Sequence, residues 1–93
     1  MVNKKDNEIF EPTVAIPPGE TIKENMAFLG MNQEELAARL DISSKQLCKI
    51  IKGTAPITNN TALQLENVFG PKADFWLNLE ANYQLNKKRL NKL

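Results

Sequence analysis

The sequence predicts an all-α protein of five helices, and two observations support this prediction. From residue 19 onward apolar residues recur every three or four positions, the spacing of one helix face, and no stretch alternates with the two-residue period of a strand. Residues that end helices divide this part of the chain, namely Gly30, Asp41, Gly53 and Gly70. A chain of 93 residues is long enough for one domain with a modest core.

The chain is predicted to divide near Pro17. Residues 1–16 show no sustained period and are expected to form a flexible arm, followed by a domain over residues 17–93. Pro17 and Pro18 are expected to end any preceding helix or strand, and Pro18 suits the first positions of a helix. The first helix is therefore expected from about Gly19 to Leu29. Its buried face is expected to comprise Ile22, Met26 and Leu29.

Residues 33–52 predict two short helices joined by a sharp turn. Asp41 falls where the backbone must become left-handed, a conformation that Asp tolerates. Ser43 is a suitable N-cap for the second helix, and the small Ala37 lets the two helices cross closely. This pattern is typical of the helix-turn-helix of DNA-binding proteins, with an ordinary αα-hairpin as the alternative.

The second helix of this motif carries hydroxyl, amide and ammonium groups on its exposed side and no acid. Such groups can donate to phosphates and to base edges, which favours DNA binding over a merely solvated face. The first residue of the preceding helix is a further candidate for a phosphate contact. The predicted DNA-binding residues are Gln33, Ser43, Ser44, Lys45, Gln46, Lys49 and Lys52.

Charge is unevenly distributed along the chain, although the net charge is only +1. Acids exceed bases over residues 1–20, whereas residues 45–52 hold three lysines without an acid and residues 87–93 hold four cations. A basic patch on a nearly neutral body is compatible with phosphate contact, because the local field matters more than the total. The alternative for the basic C-terminal residues is a solvated helix end stabilised by the helix dipole.

Two further helices are expected after the motif. Thr58 is a suitable N-cap for the fourth, Gly70-Pro71 ends it, and the fifth begins near Ala73. The apolar stripe of the fifth helix is longer than a four-helix core can cover, and exposed stripes of this kind usually mark an interface. It is therefore predicted to be a C-terminal dimerisation helix, with Phe75, Trp76, Leu79, Tyr83 and Leu90 at the interface. The alternative places the first three in the core and Tyr83 at its rim.

The residue inventory argues against an enzyme. The chain has no histidine, the commonest general base and metal ligand, and Cys48 is its sole cysteine, which fits a reducing cytoplasm. No phosphate-binding, dinucleotide-binding or zinc-peptidase motif is present, so no cofactor or metal is expected. No apolar run reaches the ~18–20 residues of a membrane span, and no signal peptide is visible. A cytoplasmic protein without a membrane partner is expected.

Five segments, taken in order, resemble the HigA-type antitoxins of the Xre group of helix-turn-helix regulators. These segments are IPPGETIKE, GMNQEELAARLDIS, KIIKGTAPIT, TALQLENVFG and FWLNLEANY, and the resemblance covers roughly Pro17 to Leu85. The helix-turn-helix alone is shared by many unrelated regulators. The PPGE start, the ITxxTALxLE segment and the FWLNL segment together are much more specific to the antitoxins.

The resemblance implies a five-helix, lambda-repressor-like domain that forms a homodimer and binds a palindromic operator in its own promoter. Such antitoxins also bind and silence a HigB toxin, a RelE-type mRNA endonuclease encoded beside them. The DNA contacts implied by the resemblance are Gln33, Ser44, Lys45, Gln46 and Lys49. Two positions depart from the family pattern: Asp41 replaces the usual glycine of the turn, and Ile51-Lys52-Gly53 replaces the commoner Glu-Asn-Gly.

Three alternatives to an antitoxin remain open on the sequence. The first is an Xre-family transcriptional repressor that has no toxin partner. The second is the regulatory domain of a longer protein of the ImmA/IrrE type, whose zinc-peptidase domain would follow. The third is a helical protein-interaction module that does not bind DNA.

Overall fold

The computed structural model describes residues 15–91, which form five α-helices and no strand. The predicted all-α class and the five-helix order are therefore confirmed. Residues 1–14, which make up most of the predicted arm, lie outside the described residues. The helices are α1 (Gly19–Leu29), α2 (Gln33–Leu40), α3 (Ser44–Lys52), α4 (Asn59–Phe69) and α5 (Ala73–Asn91).

Three helices begin at side-chain caps that satisfy free backbone N–H groups. The Asn32 side chain accepts from Glu35 N–H at 2.8 Å, and the Glu35 carboxylate accepts from Asn32 N–H at 2.9 Å, which makes a reciprocal capping box at α2. Ser43 Oγ accepts from Gln46 N–H at 3.0 Å at the start of α3. Thr58 Oγ1 accepts from Thr61 N–H at 3.2 Å at the start of α4. The caps predicted from the sequence, Ser43 and Thr58, are confirmed.

One core joins all five helices. Its largest fully buried side chains are Ile22, Leu36, Leu40, Leu47, Leu65 and Trp76. The prediction that Leu29 completes the buried face of α1 is wrong, because 48% of its surface is exposed. Leu29 is the last residue of α1, and this final turn extends past the core, where the adjacent Phe28 is 87% exposed.

A close main-chain contact fixes α1 against the end of α3. Gly19, the first residue of α1, is buried, and a Cβ built on it would lie 2.0 Å from the carbonyl oxygen of Ile51 and 2.4 Å from its Cα. These distances are far inside van der Waals contact, so only glycine fits this position. The last turn of α3 is thereby set directly against the backbone of α1.

The long helix α5 holds the loop that follows α3. Glu80 is buried, and its carboxylate accepts from Ile57 N–H at 3.0 Å and from Gln84 Nε2 at 2.6 Å. The Tyr83 hydroxyl donates to the carbonyl of Gly53 at 3.4 Å. Since Gly53 ends α3, the last turn of α3 is supported by α1 on one side and by α5 through this loop.

None of the helices within residues 15–91 combines the length and the apolar character that crossing a membrane requires.

Candidate nucleic-acid interface

The turn between α2 and α3 has the left-handed conformation that the sequence predicts. Asp41 has φ 60° and ψ 43°, and it is the sole non-glycine residue with positive φ within residues 15–91. Its N–H donates to the carbonyl of Ala38 at 3.2 Å, and Ile42 N–H donates to Ala37 at 3.0 Å. These bonds close the end of α2, and the buried Ala37 lies in the core. The angle at which α3 leaves α2 is therefore fixed by the backbone.

Helix α3 has one buried face and one polar face. Leu47, Ile50 and Ile51 are buried. The predicted DNA-binding residues of this helix and its cap are all exposed, namely Ser43, Ser44, Lys45, Gln46, Lys49 and Lys52. The structure therefore brings six of the seven predicted residues together on a single helix surface.

The three lysines of α3 form a line along its exposed face. Lys45, Lys49 and Lys52 stand four and then three residues apart, so they lie one above another on a helix of 3.6 residues per turn. No acidic residue occurs in α3. The line runs from the N-terminal turn of the helix to its C-terminal end, which suits contact with a polyanion along its length.

Gln33 lies apart from this set on the chain. It is exposed at the first residue of α2, directly after the N-cap Asn32. The side chains of Asn32 and Glu35 bond each other's backbone, which leaves the amide of Gln33 outside the capping box. Gln33 therefore offers a donor at a second helix N-terminus, where the helix dipole favours an anion and the exposed carboxylates of Glu34 and Glu35 oppose one.

The predicted dimer residues of α5 separate into two groups in the structure. Trp76 has no exposed surface, and its Nε1–H donates to the carbonyl of Pro71 at 3.2 Å, so its assignment to an interface was wrong and it is a core residue. Tyr83 is half-buried at the rim of the core, in contact with Gly53. The alternative that the sequence left open is correct for Trp76, whereas a role of Tyr83 at an interface stays a prediction.

Three further predicted interface residues are also incompletely covered. Phe75 is 40% exposed, while Leu79 and Leu90 are half-buried. Leu79 follows Phe75 by four residues and precedes Leu90 by eleven, close to three helical turns, so the three share one side of α5. Their role at an interface stays a prediction.

A cleft separates the end of α3 from the middle of α5, with a volume of about 700 Å³. It is lined by Lys52, Gly53, Thr54, Pro56, Glu80, Tyr83, Gln84 and Lys87. The sequence did not predict it, because its two walls lie about thirty residues apart along the chain. The only local signal is the four-residue spacing of Tyr83 and Lys87, which places both on one side of a helix.

The residues of the described chain do not form a candidate metal centre. Within residues 15–91 no three His, Cys, Asp or Glu side chains come together in a way that could hold a metal ion. Cys48 is partly buried on the flank of α3.

Residues 22–76 match the helix-turn-helix family, and the chain belongs to this family as a domain of the Xre type. It is 36% identical over 72 residues to virulence-associated protein I of Dichelobacter nodosus, a stretch covering 76% of this chain and 67% of that protein.

Two solved structures extend the similarity to antitoxins. An addiction module antidote protein of a HigA family from Coxiella burnetii is 36% identical, with a TM-score of 0.77 and coverage of 85% of this chain and 89% of that one. The antitoxin HigA of Pseudomonas aeruginosa, solved with the higBA promoter, is 28% identical, with a TM-score of 0.74 and coverage of 80% and 82%. The resemblance to HigA-type antitoxins is therefore confirmed, and the fold is a DNA-binding helix-turn-helix fold like that of these antitoxins.

Proposed function

We propose that this protein is a sequence-specific DNA-binding antitoxin that represses its own operon and neutralises a HigB/RelE-type mRNA endonuclease. The observation that carries the DNA-binding part is the exposed line of three lysines on α3, a helix whose opposite face is buried in the core. Similarity to a HigA antitoxin solved with its promoter supports this assignment. Helix α3 is the recognition helix in this proposal.

The N-terminal turn of α3 enters the major groove, as the recognition helices of helix-turn-helix proteins do. Lys45 and Gln46 are exposed there and have the reach and the donors for base edges. Ser44 and the free N–H groups of this turn suit a phosphate, and Gln33 at the start of α2 suits another. Base contacts then give the sequence preference, and the phosphate contacts fix the position of α3.

Lys45→Ala and Lys49→Ala are expected to have different effects on operator binding. Loss of a bidentate base contact by Lys45 should cost about 1–3 kcal/mol in each half-site and relax the preference at one base pair of that half-site. Lys49→Ala should weaken operator and unrelated DNA alike, because a phosphate contact is independent of sequence. Fluorescence anisotropy on the native upstream sequence, its single-base variants and scrambled DNA measures both effects. An unchanged operator affinity of the double variant at physiological salt would rule out this surface.

Two copies are required for specific binding, because one motif reads few base pairs and makes few phosphate contacts. A homodimer places two α3 helices about one DNA turn (~34 Å) apart on a palindromic operator. We assign the two-fold to the side of α5 that carries Phe75, Leu79 and Leu90, since these three apolar side chains are incompletely covered. Trp76 supports that side from within the core.

The toxin-binding part of the proposal is supported by the similarity to an addiction module antidote protein. We expect the helical domain, and not residues 1–11, to bind the toxin. A chain lacking residues 1–11 should then still rescue the growth of cells that express the toxin encoded in the neighbouring gene, and should still co-purify with it. Loss of toxin binding with retained operator binding would instead assign the toxin contact to residues 1–11. If no neighbouring gene encodes a toxin, a repressor without a toxin partner is the better assignment.

A further inference from the structure

The cleft between α3 and α5 has the composition of an anion site. Lys52 contributes one ammonium group from the last residue of α3, and Lys87 contributes a second from α5. Thr54 also lines the cleft. Its hydroxyl donates to the carbonyl of Lys49 at 3.2 Å, so its proton is not available to a bound anion. The two lysines are therefore the groups that would bind an anion here.

The single acid that lines the cleft is already engaged. One carboxylate oxygen of Glu80 accepts from Ile57 N–H at 3.0 Å, and the other accepts from Gln84 Nε2 at 2.6 Å. Glu80 is also buried, so it faces the core side of the cleft. The two lysines outnumber this one acid, and the cleft carries a net positive charge.

The position of Lys87 is set by its neighbour on the helix. Its Nζ lies 5.0 Å from the centroid of the Tyr83 ring, within the range of a cation–π contact. The Tyr83 ring is in turn held against the end of α3, because its hydroxyl donates to Gly53. Lys87 is therefore held beside α3, whereas the next residue, Lys88, is exposed and does not line the cleft.

Two of the last four carbonyl groups of α3 accept hydrogen bonds from the residues that follow the helix. The carbonyl of Lys49 accepts from the N–H groups of Thr54 at 2.9 Å and Ala55 at 3.2 Å, and the carbonyl of Ile50 accepts from Gly53 at 3.1 Å. Bonded carbonyls present less negative charge to the cleft than the free ones of an uncapped helix end.

The cleft lies where DNA backbone is expected if α3 reads the major groove. Lys52 is seven residues beyond Lys45, which is about 10 Å along the helix. The major groove is only about 8.5 Å deep. If α3 enters the groove with its N-terminal turn foremost and its axis tilted outward, its C-terminal end comes close to the rim of the groove, where the phosphates lie.

We propose that the cleft between α3 and α5 binds a phosphate of the DNA backbone beside the recognition helix, with Lys87 of α5 as a DNA-contacting residue together with Lys52. This inference rests on the proposed operator binding. It extends the DNA-binding surface from the helix-turn-helix to the last helix of the domain, which the motif alone does not include.

The test compares Lys87→Gln with Lys88→Gln in the full chain. Both changes remove one positive charge from adjacent residues of α5, so their long-range effects on DNA are matched. If each Lys87 of the dimer neutralises one phosphate, the magnitude of the slope of log K against log salt should fall by about 1.8 for Lys87→Gln and should remain near the wild-type slope for Lys88→Gln. The affinity advantage of the wild type over Lys87→Gln should then shrink about 12-fold between 50 and 200 mM salt. Lys87→Arg, which keeps the charge, should keep the wild-type slope.

Equal slopes for Lys87→Gln and Lys88→Gln, in proteins that melt at the same temperature, would overturn the inference. A second result would also overturn the inference. Lys87→Gln would bind the operator as Lys88→Gln does but would no longer co-purify with the toxin. The cleft would then bind acidic groups of the toxin and not a DNA phosphate. Both results presuppose a wild-type protein that prefers its operator to scrambled DNA. Absence of that preference would be a failure of the proposed function itself.

Discussion

Gly19→Ala is expected to lower the free energy of unfolding by about 3 kcal/mol, the upper end of the cost of overpacking a core. The new methyl carbon would lie 2.0 Å from the carbonyl oxygen of Ile51, and its three nearest atoms all belong to the backbone of that residue. No side chain can move aside, so α1 and the end of α3 must separate. The loss is a large share of the roughly 5–14 kcal/mol expected for 93 residues. Urea denaturation followed by circular dichroism measures it.

Gly30→Ala is the matched control for this substitution. Gly30 has φ +67°, and no atom lies within 4 Å of the position that a Cβ would take. Its replacement adds only the backbone strain of a left-handed alanine, about 1 kcal/mol. Operator affinity should also fall for Gly19→Ala and not for Gly30→Ala, because Gly19 contacts the recognition helix. Equal stability of Gly19→Ala and wild type would show that α1 can shift without cost.

The predictions that the structure confirms depend on neighbours within a few residues. Asp41 at a left-handed turn, and the caps at Ser43 and Thr58, follow from backbone groups that must be satisfied where a helix begins or ends. The polar face of α3 follows from the helical spacing of its apolar residues, which places them all on the opposite face. These features could be read from the sequence because their causes are local.

The features that sequence reasoning missed depend on contacts between distant parts of the chain. Gly19 was predicted only as a helix start, since nothing local shows that its surface meets Ile51. The cleft requires Lys52 and Lys87 to lie on facing helices. Leu29 continues the period of α1, but the period does not show where the covering helices stop. Periodicity gives the direction of a side chain, and tertiary packing decides whether anything covers it.

The stripe on α5 combines two functions that periodicity could not separate. Trp76 and Phe75 are adjacent, and their rings meet edge to face with centroids 5.1 Å apart. Trp76 also packs on Phe69 at 6.0 Å and is completely buried. The outer ring, Phe75, is partly exposed on the side assigned to the dimer. Substitution of each residue in turn should therefore separate folding from assembly.

Trp76→Ala is expected to destabilise the domain by about 3–5 kcal/mol, because it empties the largest buried side-chain volume of the core and leaves the Pro71 carbonyl without its indole donor. The thermal midpoint should fall steeply at every protein concentration. Phe75→Ala removes a half-exposed ring and should cost the folded chain much less, yet it should shift the monomer–dimer equilibrium toward monomer and weaken operator binding. Sedimentation equilibrium and thermal unfolding of both variants measure the two effects. If Phe75→Ala remains a dimer with wild-type operator affinity, the two-fold lies on a surface other than the Phe75 side of α5.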